Sequence, residues 1–180
     1  MAYLGRQTLE TAAIALSTPT HKAGADAFRL AMREFASSVA IVASGHGEGR
    51  NGCTATSLCS LSVEPPTLIV CLALGSATLR TALAEGALGV SLLASSHADL
   101  AHRFAGRSGI RGAARFEGYE WTSMATGSPL LRDAVATIDC EIEESIERHT
   151  HAMVIARVLA AQAAGGRALA HWRGKSLPLR

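Results

Sequence analysis

The short segment from Cys53 to Ser60, CTATSLCS, has side chains suited to binding a flat polar ligand. A half-buried strand usually alternates large apolar and polar residues, but nearly every side chain here is small or carries a hydroxyl. Small side chains allow a planar ligand to approach the backbone, and hydroxyls together with free backbone groups can bond its polar edge. The other interpretation is a strand packed closely against a helix, with Thr present for its β-propensity. Composition alone favours neither.

The glycine-rich stretch before this segment, from Gly47 to Gly52, fits the G-x-G-x-x-G pattern of phosphate-binding turns. A dinucleotide fingerprint needs a strand, a turn and then a helix whose N-terminus holds the pyrophosphate. Gly52 is instead followed by CTATSLCSLS, which is dense in weak helix formers and soon reaches Pro65-Pro66. We therefore predict a hairpin loop between two antiparallel strands, in which Gly and Asn supply positive φ.

A serine and two histidines could also contribute chemistry. Ser76 opens SATLRTALAE, a predicted helix over residues 76–85, where exposed N–H groups favour an anion. Serine is equally preferred as an N-cap without any ligand. His149 and His151 stand two residues apart and could face one side of a strand. Because no carboxylate or third ligand lies at a suitable spacing, no metal site is expected.

The four cysteines form no C-x-x-C pair, and each stands within an apolar or small-residue run: Cys53, Cys59, Cys71 and Cys140. Free cysteine in such surroundings behaves as a small buried hydrophobe. We therefore predict reduced thiols in the core rather than disulfides or metal ligands.

Composition points to one domain with a sizeable core, since the chain has 180 residues, 48% of them hydrophobic and 18% charged. The net charge is +2 and the basic residues are scattered, so nucleic acid is not an expected partner. No apolar stretch reaches the roughly 18 residues of a membrane span, and no cationic leader precedes the N-terminal apolar patch. The expected location is the cytoplasm.

Periodicity predicts mostly strands. Residues 1–24 are predicted to form a flexible N-terminal arm, before a single domain over 25–180. Asp26 is predicted to cap the helix AFRLAMREFASS, and Ser95 or Ser96 to cap a helix that stops at Gly106. Strands are predicted over 39–44, 53–63, 67–74, 88–94, 134–147, 150–162 and 168–174. Few helices separate these strands, so an antiparallel barrel with peripheral helices fits better than a doubly wound sheet.

Two expectations concern the rest of the chain. The segment from Arg107 to Ser128, which holds Tyr119 and Trp121, is too long to be an idle connection and is a functional-loop candidate. Tyr119 and Trp172 are expected to pack rather than to serve as stacking platforms for a ligand. His97 and His102 are expected on the solvated face of the preceding helix.

Several segments, in order, resemble the short-chain flavin reductases, the reductase components of two-component flavin-dependent monooxygenases. They are FRLAMREFASSVAIVAS, NGCTATSLCSLSVEPPTLIVCLA, GSATLRTALAEGALGVSLLASSHADLAHRFAG, TGSPLLRDAVATIDCEIEES, HTHAMVIARVLA and HWRG, from about Phe28 to Leu177. The Thr-Ala-x-Ser-x-x-Ser-x-Ser-x-x-Pro-Pro run and the RFAG helix end are the most specific. The resemblance implies a mainly β fold with peripheral helices, the six-stranded antiparallel FMN-binding split β-barrel. It also implies a homodimer with flavin bound near the subunit interface.

The resemblance also implies roles for particular residues. The family's contacts beside the flavin isoalloxazine fall on Thr54, Ala55, Thr56, Ser57 and Ser60. Its Ser-x-Thr at the phosphate and ribityl end falls on Ser76 and Thr78, and the segment that closes over the flavin falls on Phe104 and Gly106. His151 matches the histidine on the nicotinamide side.

Two positions depart from the family pattern. Many relatives carry Asn followed by Arg or Lys just before Ser-x-Thr, where this chain has Ala73 and Leu74. A cation for the phosphate is therefore missing there, and Arg103 or Arg107 are the substitutes we expect. The family's Gly-Asp-His triplet is His149-Thr150-His151 here, which keeps only the histidine.

The implied function is an NAD(P)H:flavin oxidoreductase. It would reduce FMN, or FAD, by hydride transfer from NADH or NADPH and supply reduced flavin to a partner monooxygenase. The alternative is a split-barrel carrier or sensor that holds flavin or haem without turnover. A related oxidase that acts on a pyridoxine-type substrate is disfavoured. That lineage binds phosphate through several Arg and Lys residues on its strands, and the predicted strands of this chain contain almost none.

Overall fold

The computed structural model describes residues 24–179, which separate into two units, 24–32 and 33–179. Three α-helices are present in the described residues: α1 (Ala25–Met32), α2 (Ala77–Glu85) and α3 (Ala98–Phe104). The strands are β1 (Ser37–Ser38), β2 (Ala40–Ser44), β3 (Asn51–Ala55), β4 (Leu58–Val63), β5 (Pro66–Ala73), β6 (Ala87–Leu92), β7 (Trp121–Thr122), β8 (Leu130–Leu131), β9 (Ala136–Arg148), β10 (His151–Ala163), β11 (Leu169–Trp172) and β12 (Lys175–Pro178). The predicted arm over 1–24 lies, except for its last residue, outside the described chain.

The first unit holds only α1, which is shorter than predicted because it ends at Met32 rather than near Ser38. Asp26 lies inside its first turn and accepts a hydrogen bond from Arg29 at 2.6 Å, so the prediction that Asp26 caps this helix was wrong. The predicted apolar stripe is not buried: Phe28 is 61% exposed and Leu30 66%.

The second unit is built on a seven-stranded antiparallel sheet in the order β3-β2-β6-β9-β10-β5-β4. The terminal strands of this order, β3 and β4, are joined by only two residues, Thr56 and Ser57. Ser57 accepts a hydrogen bond from the Cys71 N–H at 3.2 Å and donates its hydroxyl to the Cys71 carbonyl at 2.8 Å. The chain leaving β3 therefore returns to β5 at Ser57, so the sheet curves back towards its own start without β3 and β5 pairing along their lengths. The predicted mainly β split barrel is confirmed.

The connection at Thr56 and Ser57 also corrects one predicted element. Residues 53–63 were expected to be a single extended segment, but the chain leaves its partner β2 at Ala55 and joins β5 from Leu58. The hairpin prediction for the glycine-rich loop is confirmed, since β2 and β3 pair antiparallel around it. Positive φ in that loop comes from Gly45 and Gly47, whereas Asn51 belongs to β3.

Strand β2 is buried on both faces, which explains its continuous β-branched and small apolar sequence. Ala40 and Val42 face a core inside the barrel, where they join residues of β5, β6 and β10. Ile41 and Ala43 face a second core, where they pack with α3 and with Phe116 of the 3-10 turn Gly112–Phe116. Alternate residues of one strand thus hold the barrel and its outer layer together.

Helices α2 and α3 flank the barrel, and three of their four ends agree with the predictions. One of these is the end of α2 at Glu85. The Ser76 hydroxyl accepts a hydrogen bond from the Leu79 N–H at 3.1 Å and caps α2, as predicted. Gly106, with φ +76, follows α3 and ends it, as predicted. At the start of α3 the predicted serine cap was wrong: Ser95–His97 forms a 3-10 turn, and His97 Nδ1 accepts the Ala94 N–H at 3.2 Å.

His97 is buried rather than solvated, and both of its ring nitrogens make hydrogen bonds within the fold. Its Nδ1 accepts a hydrogen bond from the Ala94 N–H, so Nε2 carries the ring proton and donates a hydrogen bond to Asp133 at 2.9 Å. His102 is exposed, as predicted.

Tyr119 packs against the second core, as predicted, and Trp121 packs beside it. Trp172, which was also expected to pack, is 37% exposed, and the Arg173 guanidinium lies over its ring at 4.5 Å from the centroid. The segment 107–128 contains the 3-10 turn and β7.

The cysteines are free, as predicted, but only Cys140 is fully buried. Burial, and then the adjacent Asp139 charge, raises the pKa of Cys140 to about 12. Cys53 and Cys71 are half-buried, and Cys59 is exposed, so the prediction that all four lie in the core was wrong for Cys59. In the described part of the chain, no helix has the length and apolar character needed to cross a bilayer.

Candidate functional site

Strand β3 leaves one of its backbone edges unpaired, because among the described strands it pairs only with β2. The Arg115 side chain lies at this edge, where its Nη1 donates a hydrogen bond to the Gly52 carbonyl at 2.9 Å. Backbone groups of alternate residues point to the same side of an antiparallel strand. The N–H and carbonyl of Thr54 therefore face the same unpaired edge, which is the backbone availability that the low-bulk segment predicted.

The hydroxyls of this segment are less available than the sequence suggested. The Thr54 hydroxyl donates to the Ala101 carbonyl of α3 at 2.6 Å, and the Ser57 hydroxyl donates to Cys71. Thr56 is exposed, and its hydroxyl has no hydrogen-bond partner within residues 24–179. Ala55 is buried in the barrel core, where its side chain cannot contact a ligand outside. A ligand at this edge would thus find backbone groups and one free hydroxyl, that of Thr56.

A cavity of about 620 Å³ opens beside this edge, which is within the usual range for small-molecule sites. Thr54 and Thr56 form one wall of the cavity. The other walls come from α3 and the residues after it and from the β11–β12 hairpin: Ala98, Asp99, Ala101, His102, Ala105, Arg107, His171, Gly174, Lys175, Ser176 and Leu177, with Val39 of the segment before β2.

Phe104 fixes the distance between α3 and β3 from inside the second core. Its ring is fully buried and lies edge-on to Phe116, with centroids 5.0 Å apart. A Cβ on Gly52 would stand 2.7 Å from this ring, so the close approach of β3 to α3 requires glycine there. Phe104 therefore positions the wall of the cavity but does not line it. Gly106 turns the chain after α3 so that Arg107 reaches the cavity.

Helix α2 lies against the face of β3 that is opposite to the Thr54 side chain. The Cys53 side chain lies on the face of β3 towards Thr78, which is buried in the first turn of α2. Burial raises the pKa of the Cys53 thiol, while the Thr78 hydrogen bond and the Arg115 charge oppose that rise. The thiol therefore stays protonated near neutral pH and serves as a contact between strand and helix. Helix α2 therefore packs against β3 on the face opposite Thr54, where Asn51 Nδ2 also donates to the Thr81 hydroxyl at 3.1 Å.

A cation that the sequence patterns did not single out lies beside Ser76. Arg80, four residues into the helical segment, is exposed, and its Nη1 donates to the Gly75 carbonyl at 3.2 Å. Of the two predicted substitutes, Arg103 is engaged elsewhere, because its Nη1 donates to the Glu117 carbonyl at 2.6 Å. Arg107 lies at the cavity. An i, i+4 spacing between Ser76 and Arg80 could have suggested this neighbour, since such residues share a helix face.

His151 begins β10 and is exposed at the end of the strand opposite Ala73. Its Nδ1 lies 2.8 Å from the Thr150 hydroxyl, and the Thr150 carbonyl accepts the Leu74 N–H. His151 is thus next to the chain that leads into Ser76. His149 occupies the turn with φ +54, and no cluster of metal-ligating residues occurs in the described chain.

Ser60 is separate from the other predicted site residues. It is exposed on β4 and lines a second, largely apolar groove of about 440 Å³. Leu58, Val63 and Val158 are among the other residues of this groove. The structure therefore brings Thr54 and Thr56 together at the cavity and holds Ser76 and Thr78 across β3, while Ser60 faces a different surface.

Comparisons with known proteins agree with this architecture. A family model described as the flavin reductase like domain matches residues 32–180. A protein of Methylorubrum extorquens (strain PA1) named FMN reductase (NADH) RutF 2 is 40% identical over 143 residues, which is 79% of this chain and 82% of that protein. A similar RutF FMN reductase (NADH) from Stutzerimonas stutzeri (strain A1501) is 39% identical over 133 residues, covering 74% of this chain and 75% of that one.

Solved structures show the same likeness. BorF, the flavin reductase component of a bacterial two-component tryptophan halogenase, superposes with a TM-score of 0.78 at 30% identity, covering 87% of this chain and 100% of BorF. The styrene monooxygenase flavin reductase of Pseudomonas putida S12 gives 0.74 at 30% identity, covering 85% of this chain and 97% of that one. With its split barrel, its low-bulk β3 edge and these matches, the chain belongs to the flavin reductase-like family.

Proposed function

We propose that the protein is an NADH-dependent flavin reductase that acts on FMN and supplies reduced flavin to a separate monooxygenase. The observation that carries this proposal is the unpaired polar edge of β3 between the Thr54–Thr56 cavity and the Ser76 end of α2. The relatives named FMN reductase (NADH) favour FMN and NADH over FAD and NADPH. The flavin reductase components of a halogenase and of a styrene monooxygenase support delivery to a partner.

The proposed flavin position follows the open edge of β3. We place the isoalloxazine edge against the backbone of Thr54 to Ser57, where the Thr54 N–H and the Thr56 hydroxyl are free to bond its polar atoms. The absence of a side chain at Gly52 keeps the strand tight against α3. Phe104 and Gly106 act on this site indirectly, by setting the position and the end of α3.

The phosphate end is proposed at the start of α2. The Ser76 oxygen accepts from Leu79, so its own hydroxyl proton remains available to an anion, and the first-turn N–H groups favour negative charge. Arg80 supplies the cation that Ala73 and Leu74 lack, since its guanidinium is fixed at Gly75, one residue before Ser76. Thr78 supports the helix from its buried side through Cys53.

The protein's part in catalysis is orientation and electrostatics. When bound, the flavin supplies the ring that accepts a hydride from the reduced nicotinamide. The backbone N–H groups at the β3 edge are fixed dipoles, and they stabilise negative charge without reorganising. Arg115 adds a positive charge at the same edge through its bond to Gly52. We keep His151 as the proposed nicotinamide contact, because it is exposed next to the chain entering Ser76.

We also propose a homodimer, with the groove around Ser60 as part of the contact between copies. The groove is mostly apolar, and Val63 and Leu61 on the same strand are 84% and 53% exposed. Apolar surface of this kind is typical of an interface. Light scattering should give twice the chain mass of 18.7 kDa. The cytoplasm is the proposed location, because NADH is supplied there.

The test is an NADH oxidation assay with FMN, FAD and riboflavin supplied in turn, followed by the loss of NADH absorbance. We expect turnover with all three and the highest kcat/KM with FMN: riboflavin lacks the phosphate that would reach Ser76 and Arg80, and the relatives named FMN reductase (NADH) favour FMN over FAD. Flavin that binds without any NADH consumption would refute the reductase and favour the carrier or sensor. Equal kcat/KM for FMN and riboflavin would refute the phosphate site.

A further inference from the structure

The cavity beside Thr54 and Thr56 carries an excess of positive charge that the flavin site does not use. Arg107 and Lys175 line it, both exposed, and neither takes part in an ion pair or a side-chain hydrogen bond within residues 24–179. His102 and His171 also line the cavity, and Asp99 is its one carboxylate. Two unpaired permanent cations facing one concave surface favour a multiply charged anion.

The two cations are carried by separately fixed elements. Arg107 directly follows Gly106, whose φ of +76 turns the chain out of α3. Lys175 begins β12, after a tight turn in which Arg173 and Gly174 both have positive φ. Arg173 is held in that turn by Glu34, whose carboxylate it bonds at 2.8 Å. The cavity wall is therefore preorganised, which lowers the entropic cost of binding.

The position of the cavity indicates which anion it takes. Neighbouring residues of a strand point to opposite faces, so Thr54 faces the cavity while Cys53 faces α2 and the proposed flavin phosphate. A phosphate group in the cavity would thus belong to a second ligand rather than to the flavin. The second ligand of the proposed reaction is a nicotinamide dinucleotide, in which a diphosphate joins the adenosine to the nicotinamide riboside.

We propose that this cavity binds the adenosine diphosphate half of NADH, with Arg107 and Lys175 contacting the diphosphate. The inference rests on the proposed function. A volume of about 620 Å³ is sufficient for a ligand fragment of this class. Asp99 is placed to accept hydrogen bonds from ribose hydroxyls. Thr54 and Thr56 join this cavity to the β3 edge, so a ligand bound in it would extend towards the proposed flavin ring.

The first test measures binding without turnover, by calorimetric titration of the flavin-free protein with ADP. We expect ADP to bind, and Arg107→Ala and Lys175→Ala each to weaken it about tenfold, the size expected of a lost charge-assisted hydrogen bond. Arg132→Ala is the matched control, because Arg132 is an exposed cation paired with Glu120 outside the cavity. Thermal unfolding of each variant verifies that the fold is kept. No ADP binding, or equal binding by all the proteins, overturns the proposal.

The second test compares NADH with reduced nicotinamide mononucleotide, which lacks the adenosine phosphate half. The ratio of their kcat/KM values should fall about tenfold in Arg107→Ala and in Lys175→Ala, and should not change in Arg132→Ala. A ratio unchanged in the cavity variants overturns the proposal. If the cavity variants lose FAD binding but keep FMN binding, the cavity belongs to FAD, and the proposal is overturned as well. If no flavin supports NADH oxidation, the proposed function fails, and ADP titration alone decides the cavity.

Discussion

Replacing Gly52 with alanine should disturb the contact that holds β3 against α3. The added Cβ would lie 2.7 Å and 3.0 Å from two atoms of the Phe104 ring and 3.2 Å from the Val42 carbonyl. The ring cannot easily move aside, because it is fully buried and packs on Phe116 at 5.0 Å and on Trp121 at 5.7 Å between centroids. Overpacking of a dense core costs about 1–3 kcal/mol. A cost of about 2 kcal/mol lowers the Tm of a chain of this size by roughly 6 °C.

The same substitution should weaken flavin binding, because Gly52 carries the carbonyl that holds Arg115 at the β3 edge. Urea unfolding and FMN fluorescence titration measure the two effects. Gly49→Ala, in the turn just before β3, is the matched control, since a Cβ there meets nothing within 4 Å. In a Phe104→Leu background the added cost of Gly52→Ala should fall below about 1 kcal/mol, because the obstructing ring is gone. If Gly52→Ala is as stable as Gly49→Ala and binds FMN equally well, the close-contact reasoning is refuted.

Three further substitutions test separate parts of the site. Thr56→Val should weaken flavin binding severalfold by removing a free hydroxyl, and an unchanged titration would contradict its placement at the ring. Arg80→Ala should weaken FMN binding about fivefold, allowing for solvent screening, without affecting riboflavin; an equal loss for both flavins would exclude a phosphate contact. His151→Ala should raise the NADH KM while flavin affinity stays nearly constant, whereas kinetics in which only the flavin KM moves would exclude the nicotinamide role.

Local sequence signals predicted those elements whose cause is local. Strand β2 was predictable from its β-branched run, and α2 from the serine that caps it. The end of α3 followed from Gly106. The start of α3 was not predictable in the same way, because a 3-10 turn precedes it, in which the His97 ring bonds the Ala94 N–H through one nitrogen and Asp133, 36 residues away, through the other.

The site was predictable only in part, for a related reason. The low-bulk segment and the family resemblance pointed to Thr54 and Thr56, which line one cavity. The sequence could not show that the Thr54 hydroxyl is used by Ala101, or that Arg115 crosses to β3 from 63 residues away, because both depend on tertiary contacts. Ser60 faces another groove because the strand breaks after Ala55, a change of partner that residue types do not encode.

A crystal structure determined with excess FMN tests the central claim most directly. We expect the polar edge of the isoalloxazine to lie against the backbone of Thr54 to Ser57, with the phosphate within hydrogen-bonding distance of Ser76. Density for the ring in the apolar groove around Ser60, or a β3 edge covered by protein side chains with the ring elsewhere, would contradict it.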